Sequence, residues 1–275
     1  MIDPAAEREY NLRIRHPERD AVYRGFSERS AAYRAASPCR IDLRYAPGPR
    51  CTLDWFPAAN GAARPPLLSF IHGGYWRALD KGIFSFIAAP FNAAGIAVAM
   101  IGYDLAPAVT VTQIGAEAHA AHAWLARERS LDFDRGRVVL SGHSAGGQLA
   151  ALVAAAPPEG LAVIGAVPIS GLFDLEPLRG ASVNLDVRMS VEEARACSPM
   201  RLASLHARHW LVAVGGLETD GFQSQSARFD AHARALGAAS ELMIVPQRTH
   251  FDVLDDLADP SLPLYRRTLG LFATP

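Results

Sequence analysis

The chain has almost no lysine: Lys81 is the only one among 27 basic residues, so arginine carries nearly all the positive charge. Against 28 acidic residues the formal net charge is −1. A balance so close to zero offers no field for nucleic acid or for an anionic membrane surface. Cysteine is equally sparse. Cys39, Cys51 and Cys197 are too few and too scattered for a disulfide framework or a zinc site, and reduced thiols are expected. Long apolar runs are missing too; none approaches the ~20 residues needed to span a bilayer. The opening "MIDPAAEREYN" is polar and acidic, without the apolar centre of a secretory signal. These absences predict a cytoplasmic protein with no membrane or nucleic-acid partner, no metal and no cofactor, and they leave homo-oligomer formation open.

What is present is ordinary globular material. Half of the 275 residues are apolar, enough for the core of one large α/β domain, and no repeat or linker divides residues 1–275. Residues 1–37 carry arginine, glutamate and aromatics at helical spacing and read as a helical arm. "RIDLRYA" and "CTLDWFP", separated by "PGPR", read as an antiparallel hairpin. Then come "PLLSFI", "GIAVAMIGYD", "GRVVLSG", "LAVIGAVPIS", "HWLVAVGG" and "SELMIVP", apolar throughout and separated by helix-like segments. Such runs predict buried parallel strands with helices on both faces, and the hairpin at one edge. Residues 171–208 form a long connection after one of these strands, which places them as an excursion over the site.

Two glycine-rich stretches carry the chemistry. "GHSAGG" sets Ser144 between Gly142 and Gly146, where a strand gives way to a small-residue helix. That is G-x-S-x-G in the setting where a sharp turn exposes a serine hydroxyl and flanking side chains would collide with backbone. The hydroxyl needs a base, and in this fold class the nucleophile, acid and histidine follow in that chain order. His250, in "VPQRTH" after the last strand, is the best candidate. His143 adjoins the serine but is expected to point away from it. His119 and His122 lie at i, i+3 on a helix without the carboxylate of a metal motif, and read as surface or packing residues. His206, His209 and His232 read as surface or loop positions. For the acid, Glu218 and Asp220 compete in "GGLETDGF"; closeness to the strand end favours Glu218, and Asp220 suits a helix N-cap.

"HGGYW", from His72 to Trp76, follows an earlier buried strand. Acyl transfer creates an oxyanion, and bare backbone there can supply the N–H groups that stabilise it. The expected donors are Gly74, Tyr75 and Ala145, with Gly73 the nearest alternative. His72 reads as an anchor for the loop, and Tyr75 and Trp76 as walls of the substrate pocket.

With "EYNLR", "HGGYW", "YDLAP", "GHSAGG", "SGLFDLEPL", Ser198–Pro199 and the late histidine, the chain resembles the α/β-hydrolase family that contains kynurenine formamidase (arylformamidase) over nearly its whole length. Laid on the family's D-S-P-E-F pattern, "ETDGFQSQS" brings Glu218 to the acid's place, with glutamate for the usual aspartate and Asp220 for the usual proline. The resemblance implies a cofactor-free serine hydrolase that cleaves a small acyl amide or ester through an acyl-enzyme. A general short-chain carboxylesterase is the alternative, and a non-catalytic binding module on a hydrolase fold the rival from another class.

Overall fold

Along the central strands, successive side chains enter opposite cores. Leu67, Ile71, Ala99, Ile101 and Leu140 pack into one, while Leu68, Phe70, Val98, Met100 and Val139 pack into the other. This is the period-two alternation of a sheet covered on both faces, and it accounts for sequences that look apolar throughout. The computed structural model describes residues 2–59 and 61–273. Among them eight strands form one sheet: β1 (Arg40–Arg44), β2 (Thr52–Phe56), β3 (Leu67–Ile71), β4 (Ala97–Ile101), β5 (Val138–His143), β6 (Val163–Ile169), β7 (His209–Gly215) and β8 (Ala239–Val245). Their order is β1-β2-β4-β3-β5-β6-β7-β8. β2 runs antiparallel to both β1 and β4, and the remaining pairs are parallel. The mostly parallel sheet with its antiparallel edge is the architecture expected from the sequence.

Helices α1 (Pro4–Tyr10), α2 (Leu12–Arg15) and α3 (Arg19–Ala36) precede the sheet. Between and after the strands come α4 (Ala88–Ala93), α5 (Val111–Arg127), α6 (Ala145–Ala155), α7 (Val183–Val187), α8 (Val191–Ala196), α9 (Asp220–Ala235), α10 (Val253–Leu257) and α11 (Pro263–Gly270). α5, α6 and α9 cover the first core through residues such as Ile114, Leu149 and Phe229; α3, α4, α10 and α11 cover the second through Phe26, Phe91, Leu254 and Leu264. Local chemistry sets the ends of α5: Thr110 and Gln113 form a reciprocal capping box at its start. α6 opens on Ala145, Gly146 and Gly147, small enough to lie against the sheet; a Cβ on Gly147 would stand 3.1 Å from both the Gly142 oxygen and the Gly171 Cα.

β8 departs from the buried-strand expectation. Only β7 flanks it, so its side chains alternate in exposure and Ile244 is 51 % exposed. Among the described residues no helix is long and apolar enough to cross a membrane. α1 is fastened to two later segments. The Glu7 carboxylate accepts from the Ser182 backbone N at 2.7 Å and its Oγ at 2.8 Å; Glu9 accepts from the Gly221 N at 2.7 Å and the Thr219 Oγ1 at 2.9 Å. The arm and the connection before β7 therefore meet beside the strand ends.

Candidate active site

β5 ends at His143, α6 begins at Ala145, and Ser144 alone makes the turn, at φ 57° and ψ −120°. A non-glycine residue in that region is strained and persists only where its surroundings impose it. The imposing contacts are short. A Cβ on Gly142 would come within 2.1 Å of the Gly146 oxygen, and one on Gly146 within 2.1 Å of the Ile71 oxygen. Only glycine lets β5, the turn and the end of β3 approach so closely. The Ser144 N–H is held by the Ile169 oxygen at 2.8 Å, and its carbonyl accepts from Gly147 and Gln148 at 2.9 and 3.1 Å. Its hydroxyl hydrogen-bonds to no described residue, and Ser144 lines a cavity of about 410 Å³ together with His250.

His250 is buried, and its Nδ1 lies 2.7 Å from Glu218 Oε2. With Nδ1–H donated to that carboxylate, the neutral ring carries its lone pair on Nε2. Glu218 is itself fixed: Oε1 accepts from the Gly215 N–H at 2.7 Å and from the Ser170 hydroxyl. Of the two competing acids, Glu218 is thus the one that meets the histidine. Asp220 is exposed as the first residue of α9, and the N-cap position assigned to it from sequence belongs to Thr219.

His143 does not point away, as its place in the turn suggested. It lines the cavity, its Nε2 donates to the His250 backbone oxygen at 2.8 Å, and the two rings are 4.7 Å apart. Burial, and then the neighbouring His250, hold its pKa well below the ordinary histidine value, so it stays neutral.

The "HGGYW" segment turns over the serine. Gly73 abuts it, since a Cβ there would stand 2.8 Å from the His143 oxygen and 3.1 Å from the Ser144 Cβ. Gly74, Tyr75 and Trp76 all take positive φ, at 114°, 51° and 57°. The carbonyl of Gly74 accepts from Arg77 and Ala78, and that of Trp76 from Ala106. Among the described residues, the backbone N–H groups of Gly74, Tyr75 and Ala145 have no acceptor. His72 anchors the loop: Nδ1–H donates to the Gly73 oxygen at 2.7 Å, and the ring stacks on Tyr103 at 4.3 Å. Burial pushes its pKa down to about 4. The Tyr103 hydroxyl donates to the His72 oxygen at 2.8 Å.

Trp76 corrects an expectation. It is not a pocket wall: its side chain is fully buried in the core, and its Nε1–H donates to Gln148 Oε1 at 3.0 Å. The left-handed backbone at two successive residues turns the indole inward. Tyr75 does line the cavity, its hydroxyl donating to the Tyr10 oxygen at 2.7 Å. Gln148, which also donates to the Cys197 oxygen at 2.8 Å, and Ser170 were not singled out from sequence. Their partners lie 72 and 48 residues away.

Cys51, Asp104 and Glu117 bring a thiol and two carboxylates within 4.8 Å of one another, outside this cavity. Asp104 already accepts from the Arg50 N–H and Glu117 from the Asp104 N–H, and burial pushes the Cys51 thiol up to about 11. The two carboxylates already accept backbone N–H groups and the thiol is held in its protonated form, so the trio is accounted for as a hydrogen-bonded cluster. All three cysteines are free.

Residues 68–252 match a family model described as the alpha/beta hydrolase fold. Kynurenine formamidase from Salmo salar is 28% identical over 80% of this chain and 77% of its own; that from Danio rerio is 26% identical over 86% and 83%. A crystal structure from Silicibacter sp. TM1040 is 31% identical, superposes with a TM-score of 0.81, and covers 93% of this chain and 94% of that one. With the sheet order and the serine turn already in place, the chain belongs to the α/β-hydrolase fold family.

Proposed function

We propose that this α/β-hydrolase cleaves a small acyl amide or ester through an acyl-enzyme on Ser144, with His250 as base and Glu218 as the acid that orients it. One observation carries the reading: a serine held at positive φ shares a cavity with a buried histidine whose Nδ1 is 2.7 Å from a buried carboxylate. His250 Nε2 takes the serine proton as Oγ attacks the carbonyl carbon. The oxygen becomes negative and meets the N–H groups of Gly74, Tyr75 and Ala145, which have no other acceptor among the described residues. Glu218 supports the imidazolium. The tetrahedral centre then expels the leaving group, which takes the proton from His250, and water repeats the sequence to release the acid. The Glu218 carboxylate keeps its orientation during the charge change because Gly215 and Ser170 hold its other oxygen.

The chain acts as one domain in this reading, with α1–α2 and the 171–208 connection roofing the pocket. Tyr10, Leu12, Ser182 and Val183 all line the cavity, which supports that role. Three free thiols are in keeping with a cytoplasmic setting. The names of the fish relatives favour an aryl formamide as substrate; short-chain esters present the same carbonyl chemistry. Measuring kcat/KM on N-formylkynurenine beside p-nitrophenyl acetate and butyrate separates them. The formamide is expected to be the better substrate, and efficient turnover of butyrate with little of the formamide would replace the formamidase reading with a carboxylesterase one.

A further inference from the structure

We propose that the N-terminal arm positions an oxyanion donor: the carbonyl of Tyr10 holds the Tyr75 side chain and, through it, the Tyr75 N–H, which makes Tyr10 a positioning residue for acyl transfer. The inference rests on the serine-hydrolase reading for what that N–H does. It deepens the reading by giving the arm a part in the chemistry beyond roofing the cavity.

The residues on either side of Tyr75 are held by the body of the protein. The Gly74 carbonyl accepts from Arg77 and Ala78, the Trp76 carbonyl accepts from Ala106, and the Trp76 indole donates to Gln148. The Tyr75 backbone, by contrast, forms no hydrogen bond among the described residues, and it sits at φ 51°. A residue with a side chain keeps that conformation only where contacts impose it. The one hydrogen bond Tyr75 makes among the described residues is from its hydroxyl to the Tyr10 oxygen, 2.7 Å away and 65 positions earlier. Tyr10 is itself firmly seated. It is 5% exposed, its hydroxyl accepts from Gln225 Nε2 at 2.9 Å, and Gln225 Oε1 accepts from the Phe173 and Asp174 N–H groups at 2.7 and 2.8 Å. Its ring meets Phe222 edge-on at 5.9 Å, and the Phe222 ring stands 4.5 Å from that of His250. The preceding residue reaches the other side of the site: the Glu9 carbonyl accepts from Thr219 Oγ1 and its carboxylate from the Gly221 N–H, just past the acid Glu218. Two consecutive residues of the arm thus brace the donor residue on one side and the loop of the acid on the other.

The test is Tyr75→Phe, which deletes the hydroxyl and keeps the ring. It is expected to lower kcat about tenfold with KM within about twofold, the pattern of a hydrogen bond felt in the transition state. An alkyl trifluoromethyl ketone reads the oxyanion directly: Ser144 Oγ adds to its carbonyl carbon, the serine proton passes to His250, and the ketone oxygen becomes the anion. Its inhibition constant is expected to rise about tenfold, in step with the fall in kcat/KM. Tyr10→Phe, which releases Gln225, is expected to cost about threefold, and in the double variant to add less than its own loss. Amide exchange followed by mass spectrometry reads the brace without turnover, with residues 72–79 expected to exchange faster in both variants. Faster exchange there, in a protein whose parent neither hydrolyses esters nor binds the ketone, would fault the hydrolase reading and keep the brace. Unchanged exchange over 72–79 overturns the brace. So does ketone inhibition that Tyr75→Phe leaves unaltered, or a loss carried by KM alone, either of which would make the phenol a wall of the pocket and nothing more.

Discussion

Two buried serine–histidine neighbourhoods among the described residues differ in what they offer to chemistry. Ser69 on β3 hydrogen-bonds His122 on α5, Oγ to Nε2, at 2.9 Å. The other ring nitrogen, Nδ1, donates to the Ala118 oxygen at 2.7 Å, and burial pushes the His122 pKa down to about 4. Both side chains are completely buried, and neither lines the cavity. At the other site the serine hydroxyl has no partner among the described residues, the histidine has a carboxylate on Nδ1, and the two share a cavity. A serine–histidine contact alone therefore signifies packing. The functional signature is the strained turn that frees the hydroxyl, the carboxylate that can support an imidazolium, and access for substrate.

The largest contrast should appear on deleting the serines. Ser144→Ala, or His250→Ala, is expected to lower kcat by ~10⁶, as when such a triad is broken. Ser69→Ala should leave kcat within about twofold and cost stability by about 1 kcal/mol, the loss of one buried hydrogen bond. A large fall in kcat for Ser69→Ala with an unchanged melting temperature would erase the distinction. The carboxylate comes next. Glu218→Gln is expected to cost about 10⁴ in kcat and Asp220→Asn less than about threefold; a greater loss for Asp220→Asn would move the acid to that residue.

A smaller effect is expected from His143, which hydrogen-bonds the His250 carbonyl and packs beside the His250 ring. His143→Phe should reduce kcat about tenfold with KM nearly constant, while His143→Gln, which can still donate, recovers most of it. If both variants lose the same amount, the ring fills space and does not position the base.

Protonation sharpens the comparison through stability. His122 in the folded chain titrates at about 4 against an ordinary 6.5. Between those values the unfolded chain binds a proton that the folded chain does not, so stability falls as pH drops from 6.5 toward 4 and is fully present above 6.5. The shift corresponds to about 3 kcal/mol at most. Urea midpoints at pH 7 and pH 5 should therefore differ less in His122→Leu than in the parent protein; parallel behaviour would assign the pH dependence to other groups, His72 among them.

Much of this was legible in the sequence, for reasons particular residues make plain. Gly142, Gly146 and Gly73 could be read because each sits where a Cβ would strike backbone within 3 Å, a requirement that leaves glycine in the chain. The apolar strands could be read because two covered faces demand unbroken hydrophobic runs. Trp76 was misassigned because one-dimensional position cannot report φ, and its positive φ sends the indole into the core. His143 was misassigned because its partner is the backbone of a residue 107 positions later. Asp220 and Glu218 were separable only in preference until the fold set one of them against His250.

The most direct measurement is covalent labelling. Folded protein is treated with a fluorophosphonate, and the modified residue is located by peptide mass spectrometry, alongside His250→Ala. The expected result is a stoichiometric adduct on Ser144 that is nearly abolished by the histidine substitution, with Ser69 unmodified. An unlabelled Ser144 in protein that is folded and hydrolyses its substrate would contradict the assignment of Ser144 as the nucleophile.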